Sequence, residues 1–135
     1  MSSPPLDFSS IATTRGIRVR VDPQYDPQRS KPYLGQWFFL YTVTIENLAE
    51  ETVQLLTRHW IITDGDGEVQ EVKGDGVVGE TPYLKPGEGF CYTSGTMMRT
   101  PIGTMHGSYQ MIADDGVNFD AEIPSFSLNV PNMLH

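Results

Sequence analysis

Arg58, His59 and Trp60 stand side by side and place a guanidinium, an imidazole and an indole in one short segment. Such a triplet can grip an anion or a peptide. Further along, Gly74, Asp75, Gly76, Val77, Val78 and Gly79 spell G-x-G-x-x-G. In a dinucleotide-binding fold that spacing opens a helix whose N-terminus receives a pyrophosphate. No helix can open here, because residues 74–89 hold five glycines and two prolines in sixteen positions. Thr81 and Lys85 each precede a proline and are biased toward extended backbone. The glycines could still turn successive N–H groups toward a phosphate. Asp75 and Glu80, however, put negative charge where the anion would sit, and no helix dipole offsets it. We read residues 74–79 as a wide surface loop. The second reading is a site for phosphate, pyrophosphate or a dinucleoside polyphosphate, or a divalent-cation-linked sensor, built from that loop with Arg58 and His59.

Asp64, Asp66 and Glu68 mimic the first ligands of a calcium loop, but Val69 occupies the required glycine position and Asp75 that of the final bidentate glutamate. The cluster reads as a hairpin turn. His59, His106 and Cys91 lie too far apart in sequence to make a legible zinc site. No metal site and no cofactor are expected. There is no G-x-S-x-G elbow, no serine or cysteine set by sequence beside a histidine and an acid, and paired carboxylates occur only in turns such as Asp114-Asp115. The chain reads as a non-enzyme.

These groups must be positioned by a small scaffold, since 135 residues and 15.1 kDa suit one domain. Five cations face three anions in the first 31 residues, and four face fourteen in the remainder, for a net charge of −8. A field of that sign repels phosphodiester backbones, so nucleic acid is not an expected partner. The single cysteine, Cys91, can make no internal bridge, fits a reducing compartment, and reads as a small buried hydrophobe. Neither a signal-type leader nor a membrane-length apolar run is present, so a soluble cytoplasmic protein is expected.

The periodicity is that of strands. Ile17, Val19 and Val21 alternate with Arg18, Arg20 and Asp22, and Pro23 and Pro27 are expected to end that strand. Along residues 36–47 the odd positions Trp37, Phe39, Tyr41, Val43 and Ile45 are apolar, marking a core strand. Residues 53–64 follow, then Asp64-Gly65-Asp66-Gly67, a two-residue hairpin signal, and a partner strand over 68–73. Further strands are expected over 90–94, 104–113 and 119–123. Trp60 is a candidate core tryptophan, and Gly107-Ser108-Tyr109-Gln110-Met111 is similar to the G-x-Y-x-C step of immunoglobulin strands, with Met111 at the cysteine position. Seven or eight strands with frequent turns predict an all-β antiparallel sandwich of immunoglobulin or fibronectin-type-III-like kind. Arg18 and Arg20 are read as charges guarding an edge, whereas residues 89–95 lack such guards.

From about Gly16 to Leu128 the chain resembles the ApaG domain. The motifs that carry this are Gly16-Ile17-Arg18-Val19 with Pro23 and Tyr25, the 37–47 strand, Arg58-His59-Trp60, the 74–79 glycine pattern through Pro82, Pro86-Gly87, Tyr92-Thr93-Ser94-Gly95, Gly103 through Tyr109, and Ile123-Pro124-Ser125-Phe126. The resemblance implies a fibronectin-type-III-like sandwich that mediates protein contacts in larger eukaryotic proteins. In bacteria it implies an association with cobalt resistance and magnesium efflux.

The expected layout is a flexible segment over residues 1–14, the sandwich over 15–130 and a tail over 131–135. The function favoured is protein–protein interaction, as a monomer or homodimer, with Tyr83, Leu84, Met97 and Met98 as apolar contacts alongside Tyr33 and Leu34.

Overall fold

The computed structural model describes residues 10–131. Nine strands follow in order: β1 (Ser10–Thr14), β2 (Ile17–Lys31), β3 (Gln36–Asn47), β4 (Val53–Asp64), β5 (Val69–Asp75), β6 (Tyr83–Leu84), β7 (Gly89–Met98), β8 (Ile102–Ala113) and β9 (Asn118–Asn129). A single 3-10 turn, Pro32–Leu34, joins β2 to β3. The strands form two antiparallel sheets, β1-β2-β3-β7 and β5-β4-β8-β9, with β6 also pairing to β4. The expected antiparallel sandwich is what the chain adopts. No helix of the described residues is long and apolar enough to cross a membrane.

The core follows from the alternation of side chains along each strand. Phe39, Tyr41, Val43 and Ile45 of β3 and Ile17, Val19 and Val21 of β2 are buried from one layer. Trp60, Met105, Tyr109, Ile123, Phe126 and Leu128 meet them from the other. Trp60 takes the expected core place, its ring 5.2 Å from Tyr41 and 6.0 Å from Phe126, the latter edge-on. Each such pairing adds about 0.5–1.5 kcal/mol beyond area burial. Tyr92 of β7 and Tyr109 of β8, both buried, hydrogen-bond hydroxyl to hydroxyl across the interior and so tie the two sheets together. Burial pushes both phenols above their ordinary pKa, while the Arg58 guanidinium acts weakly the other way.

Asn47 is buried at the end of β3 with every side-chain polar group engaged. Its Nδ2 donates to the Glu51 and Leu84 carbonyls at 2.9 and 2.8 Å, and its Oδ1 accepts from the Ala49 N–H at 2.9 Å. Its backbone N–H donates to the Glu88 carbonyl, and its own carbonyl accepts from Gly87 N–H. One residue therefore secures the β3–β4 turn, β6 and the approach to β7.

Several elements differ from the sequence expectation. Residues 10–14, expected to be flexible, form β1, which pairs with β2 through an Arg15-Gly16 turn whose positive φ values of 49° and 79° suit a tight hairpin. Residues 1–9 and 132–135 lie outside the described part. β2 does not stop at Pro23 but continues to Lys31. The described β1–β2 pairing ends at Val21, and Pro23 falls beyond it, so among the described residues its missing N–H costs no ladder bond on that side. Where the β2–β3 register shifts after Asp26, side chains take over: Asp26 Oδ1 accepts from Gln28 N–H, and Ser30 Oγ accepts from Phe38 N–H at 2.8 Å. Arg18 and Arg20 consequently sit on an interior strand rather than an edge, with Arg18 2.8 Å from Glu46 on β3. The Asp64 hairpin closes as a longer loop, with Asp64 N–H donating to Glu68 O and Asp64 Oδ1 accepting from the Asp66 and Glu68 amides. Cys91 is exposed, not buried.

Candidate functional site

Arg58 and His59 are neighbours on β4 and therefore point to opposite faces of the sheet. Arg58 shares the inward side with Trp60, where its charge reaches Tyr92 and Tyr109. It lies across Gly74 of β5, its register partner, and Nη1 donates to the Asp75 and Gly76 carbonyls at 2.8 and 2.9 Å. A Cβ at Gly74 would come within 2.7 Å of the guanidinium, so the glycine is what lets Arg58 cross. His59 faces outward, opposite Lys73, with Nε2 3.6 Å from Glu71 Oε1 and no hydrogen bond of its own. A shallow cleft of about 450 Å³ gathers Thr57, Arg58, His59, Lys73, Gly74, Asp75 and Gln110.

The structure thus brings Arg58, His59, Gly74 and Asp75 together, with the Gly76 carbonyl bonded to Arg58, but leaves Val77, Val78 and Gly79 out of that cleft. Val77 is buried in the core and Val78 is exposed at φ 43°, with Gly79 at φ 80° completing a tight turn. The loop amides are largely engaged: Gly76 N–H donates to Leu56 O, Val77 N–H to Glu80 O, and Glu80 N–H to Val77 O. Those bonds remove donors that an anion-binding concavity would present.

Of the expected apolar contacts, Tyr83 and Met97 are exposed, at 68% and 45%, whereas Leu84 and Met98 are buried at 2% and 3%. Alternation explains the correction. Adjacent strand residues face opposite sides, so each pair contributes one outward member. Tyr83 and Met97 also belong to different sheets. Among the described residues, no group of three or more His, Cys, Asp or Glu side chains is arranged to hold a metal ion.

Sequence reasoning passed over the largest opening described here. A cleft of about 900 Å³ lies between the ends of β2 and β9, walled by Pro23, Tyr25, Pro27, Phe39 and Phe126, with Pro131 at its margin. Tyr25 and Phe39 pack at 5.3 Å between ring centres. Gln24, Asn129 and three serines add neutral hydrogen-bonding groups, and among the described residues none of the lining side chains is charged. The signal was the i, i+2, i+4 spacing of Pro23, Tyr25 and Pro27 on one strand face, hidden by taking Pro23 as a strand end.

The pattern that defines the ApaG domain matches residues 27–113. Protein ApaG of Pseudomonas paraeruginosa is 57% identical over 123 residues, 91% of this chain and 98% of that protein. Protein ApaG of Dechloromonas aromatica is 56% identical, covering 88% of this chain and 94% of its own. The crystal structure of an ApaA protein from Bordetella pertussis superposes with a TM-score of 0.83 at 44% identity, covering 96% of this chain and all of that one. The glycine segment held down by Arg58, the paired sheets and these matches agree, and the chain belongs to the ApaG domain family.

Proposed function

We propose that this domain is a non-enzymatic protein-interaction module that takes an extended, proline- or aromatic-bearing segment of a partner in the cleft between Tyr25, Phe39 and Phe126. The observation that carries this reading is a lining of aromatic rings, prolines and neutral polar groups, uncharged among the described residues, in a chain with 26 charged residues among 135. A groove walled by aromatic rings and proline suits polyproline-type segments, which arrive already extended and lose little entropy on docking. Gln24, Asn129 and the serines supply partners for a peptide's unmet N–H and C=O groups. The volume falls within the range of about 300–1,000 Å³ usual for ligand clefts. The phosphate reading has less support, since Arg58 Nη1 and three amides of residues 76–80 are bonded internally.

Amide-shift titration of the chain with a panel of proline-rich peptides tests the proposal. Shifts clustered at Tyr25, Phe39, Phe126 and Ser127, lost in Tyr25→Ser, are expected. No shift with any peptide, or shifts confined to the Arg58 cleft, would remove it.

A further inference from the structure

Among the described residues, the outer edges of β5, β9 and β2 are protected. β5 carries Glu71, Lys73 and Asp75, and β9 carries Asp120 and Glu122. The outer half of β2 holds Pro23, Asp26, Pro27 and Arg29, and β1 lies against β9, whose Glu122 N–H donates to Thr14 Oγ1. Charge and proline on an edge, or cover over it, keep other strands away. β7 differs: its ten residues, Gly89–Met98, include no charged side chain and no proline, and β3 pairs with one side only.

Which backbone groups β7 leaves free follows from its register. Asn47 N–H donates to Glu88 O, and the β3–β7 pairing runs without a shift from Glu46↔Gly89 to Trp37↔Met98. Bonding toward β3 therefore falls on Phe90, Tyr92, Ser94, Thr96 and Met98. The N–H and C=O groups of Cys91, Thr93, Gly95 and Met97 point away from the sheet.

We propose that this edge pairs antiparallel with β7 of a second copy about a two-fold axis at Thr93, joining two four-stranded sheets into one. The residue pattern is self-complementary in that register. Cys91 meets Gly95 of the other copy, Met97 meets Gly89, and Thr93 meets its own counterpart, so each larger side chain faces a glycine or a matching threonine. The strand ends are electrostatically matched as well. The register sets Glu88 opposite Met98 and Arg99 opposite Gly87 of the second copy, so opposite charges fall one position apart at each end of the seam. With a net charge of −8, two copies repel over most of their surfaces, and the uncharged edge is where they can approach.

The test uses the full chain and two variants, Thr93→Lys and Thr93→Pro. Neither breaks the backbone ladder to β3, because the Thr93 amide faces outward, and both remove the one side-chain bond from Thr93 Oγ1 to Thr42 Oγ1. Sedimentation across a concentration series is expected to show the wild type reaching twice the monomer mass. Thr93→Lys should raise the dissociation constant at least tenfold with an unchanged circular dichroism spectrum. Hydrogen exchange should show the Cys91, Thr93, Gly95 and Met97 amides becoming protected as wild-type concentration rises. A wild type that stays monomeric, with those amides exchanging freely throughout, would overturn the proposal, as would a dimer that Thr93→Lys leaves intact. Should Thr93→Pro unfold, Thr93→Lys and the exchange pattern decide.

Discussion

The hydroxyl of Tyr92 on β7 meets the hydroxyl of Tyr109 on β8 inside the sandwich, so a single polar contact spans the apolar layer between the sheets. Removing one oxygen leaves the other buried without a partner, at a cost of about 1–3 kcal/mol, whereas removing both is close to neutral. Urea denaturation should therefore show Tyr92→Phe and Tyr109→Phe each destabilised by that amount, with the double variant recovering much of the loss. Simple additivity of the two losses would contradict a shared bond.

Alkaline pH should expose the same pair. Burial raises both phenols above the ordinary value near 10. The folded chain keeps these protons where the unfolded chain releases them, so their contribution is complete below about pH 10 and declines as pH climbs, by about 1.4 kcal/mol per unit for each phenol. The denaturation midpoint of the wild type should fall more steeply above pH 10 than that of the double phenylalanine variant. Parallel slopes would show that neither phenol is held protonated by the fold.

Arg58 and Gly74 should behave as one unit. Arg58→Gln releases the Asp75 and Gly76 carbonyls, and Gly74→Ala pushes the guanidinium off its path. Each is expected to cost about 1–2 kcal/mol and to speed amide exchange at Gly76 and Val77. The combined variant should cost little more than either change alone. Full additivity would mean that the close approach at Gly74 is irrelevant to Arg58.

Asn47→Ala leaves two carbonyls and one amide without their partner in a buried corner, and at about 1–3 kcal/mol for each unmet group the loss should be at least ~2 kcal/mol. Asn47→Asp should do no better, because a carboxylate cannot donate to the Glu51 and Leu84 carbonyls. Thermal unfolding with a midpoint within a degree or two of wild type would show that water replaces the side chain.

Gly107→Ala should prevent folding. A Cβ there would lie 2.0 Å from the His59 carbonyl oxygen, and the other nearest atoms are His59 and Trp60 backbone, so no side chain can yield. Soluble, cooperatively unfolding Gly107→Ala would show that β4 and β8 can separate at the Trp60–Gly107 pair.

Strands that bury one face could be read directly. β3 and β4 begin and end where alternation and turn residues place them, because each carries a run of apolar odd or even positions against the core. What the sequence hid were pairings decided by distant neighbours. Ser10–Thr14 has little apolar pattern and becomes a strand only because β2 and β9 receive it. Pro23 looks like a strand end until it is known that it falls beyond the described β1–β2 pairing and still pairs with Tyr41 of β3. The same limit applied to the sites. Arg58 and His59 are adjacent in sequence and so look cooperative, yet strand geometry sends them to opposite faces. The Tyr25–Phe126 cleft joins residues a hundred positions apart, and no local spacing could announce it.

The link from Glu122 N–H to Thr14 Oγ1 closes only one long side of the molecule. The two layers are thus bound like a book, with a stitched spine at β1 and β9, one clasp where Tyr92 of β7 meets Tyr109, and a loose page at β5. Thermal breathing should begin at the fore-edge and lift that page first, leaving the spine intact until the whole domain melts.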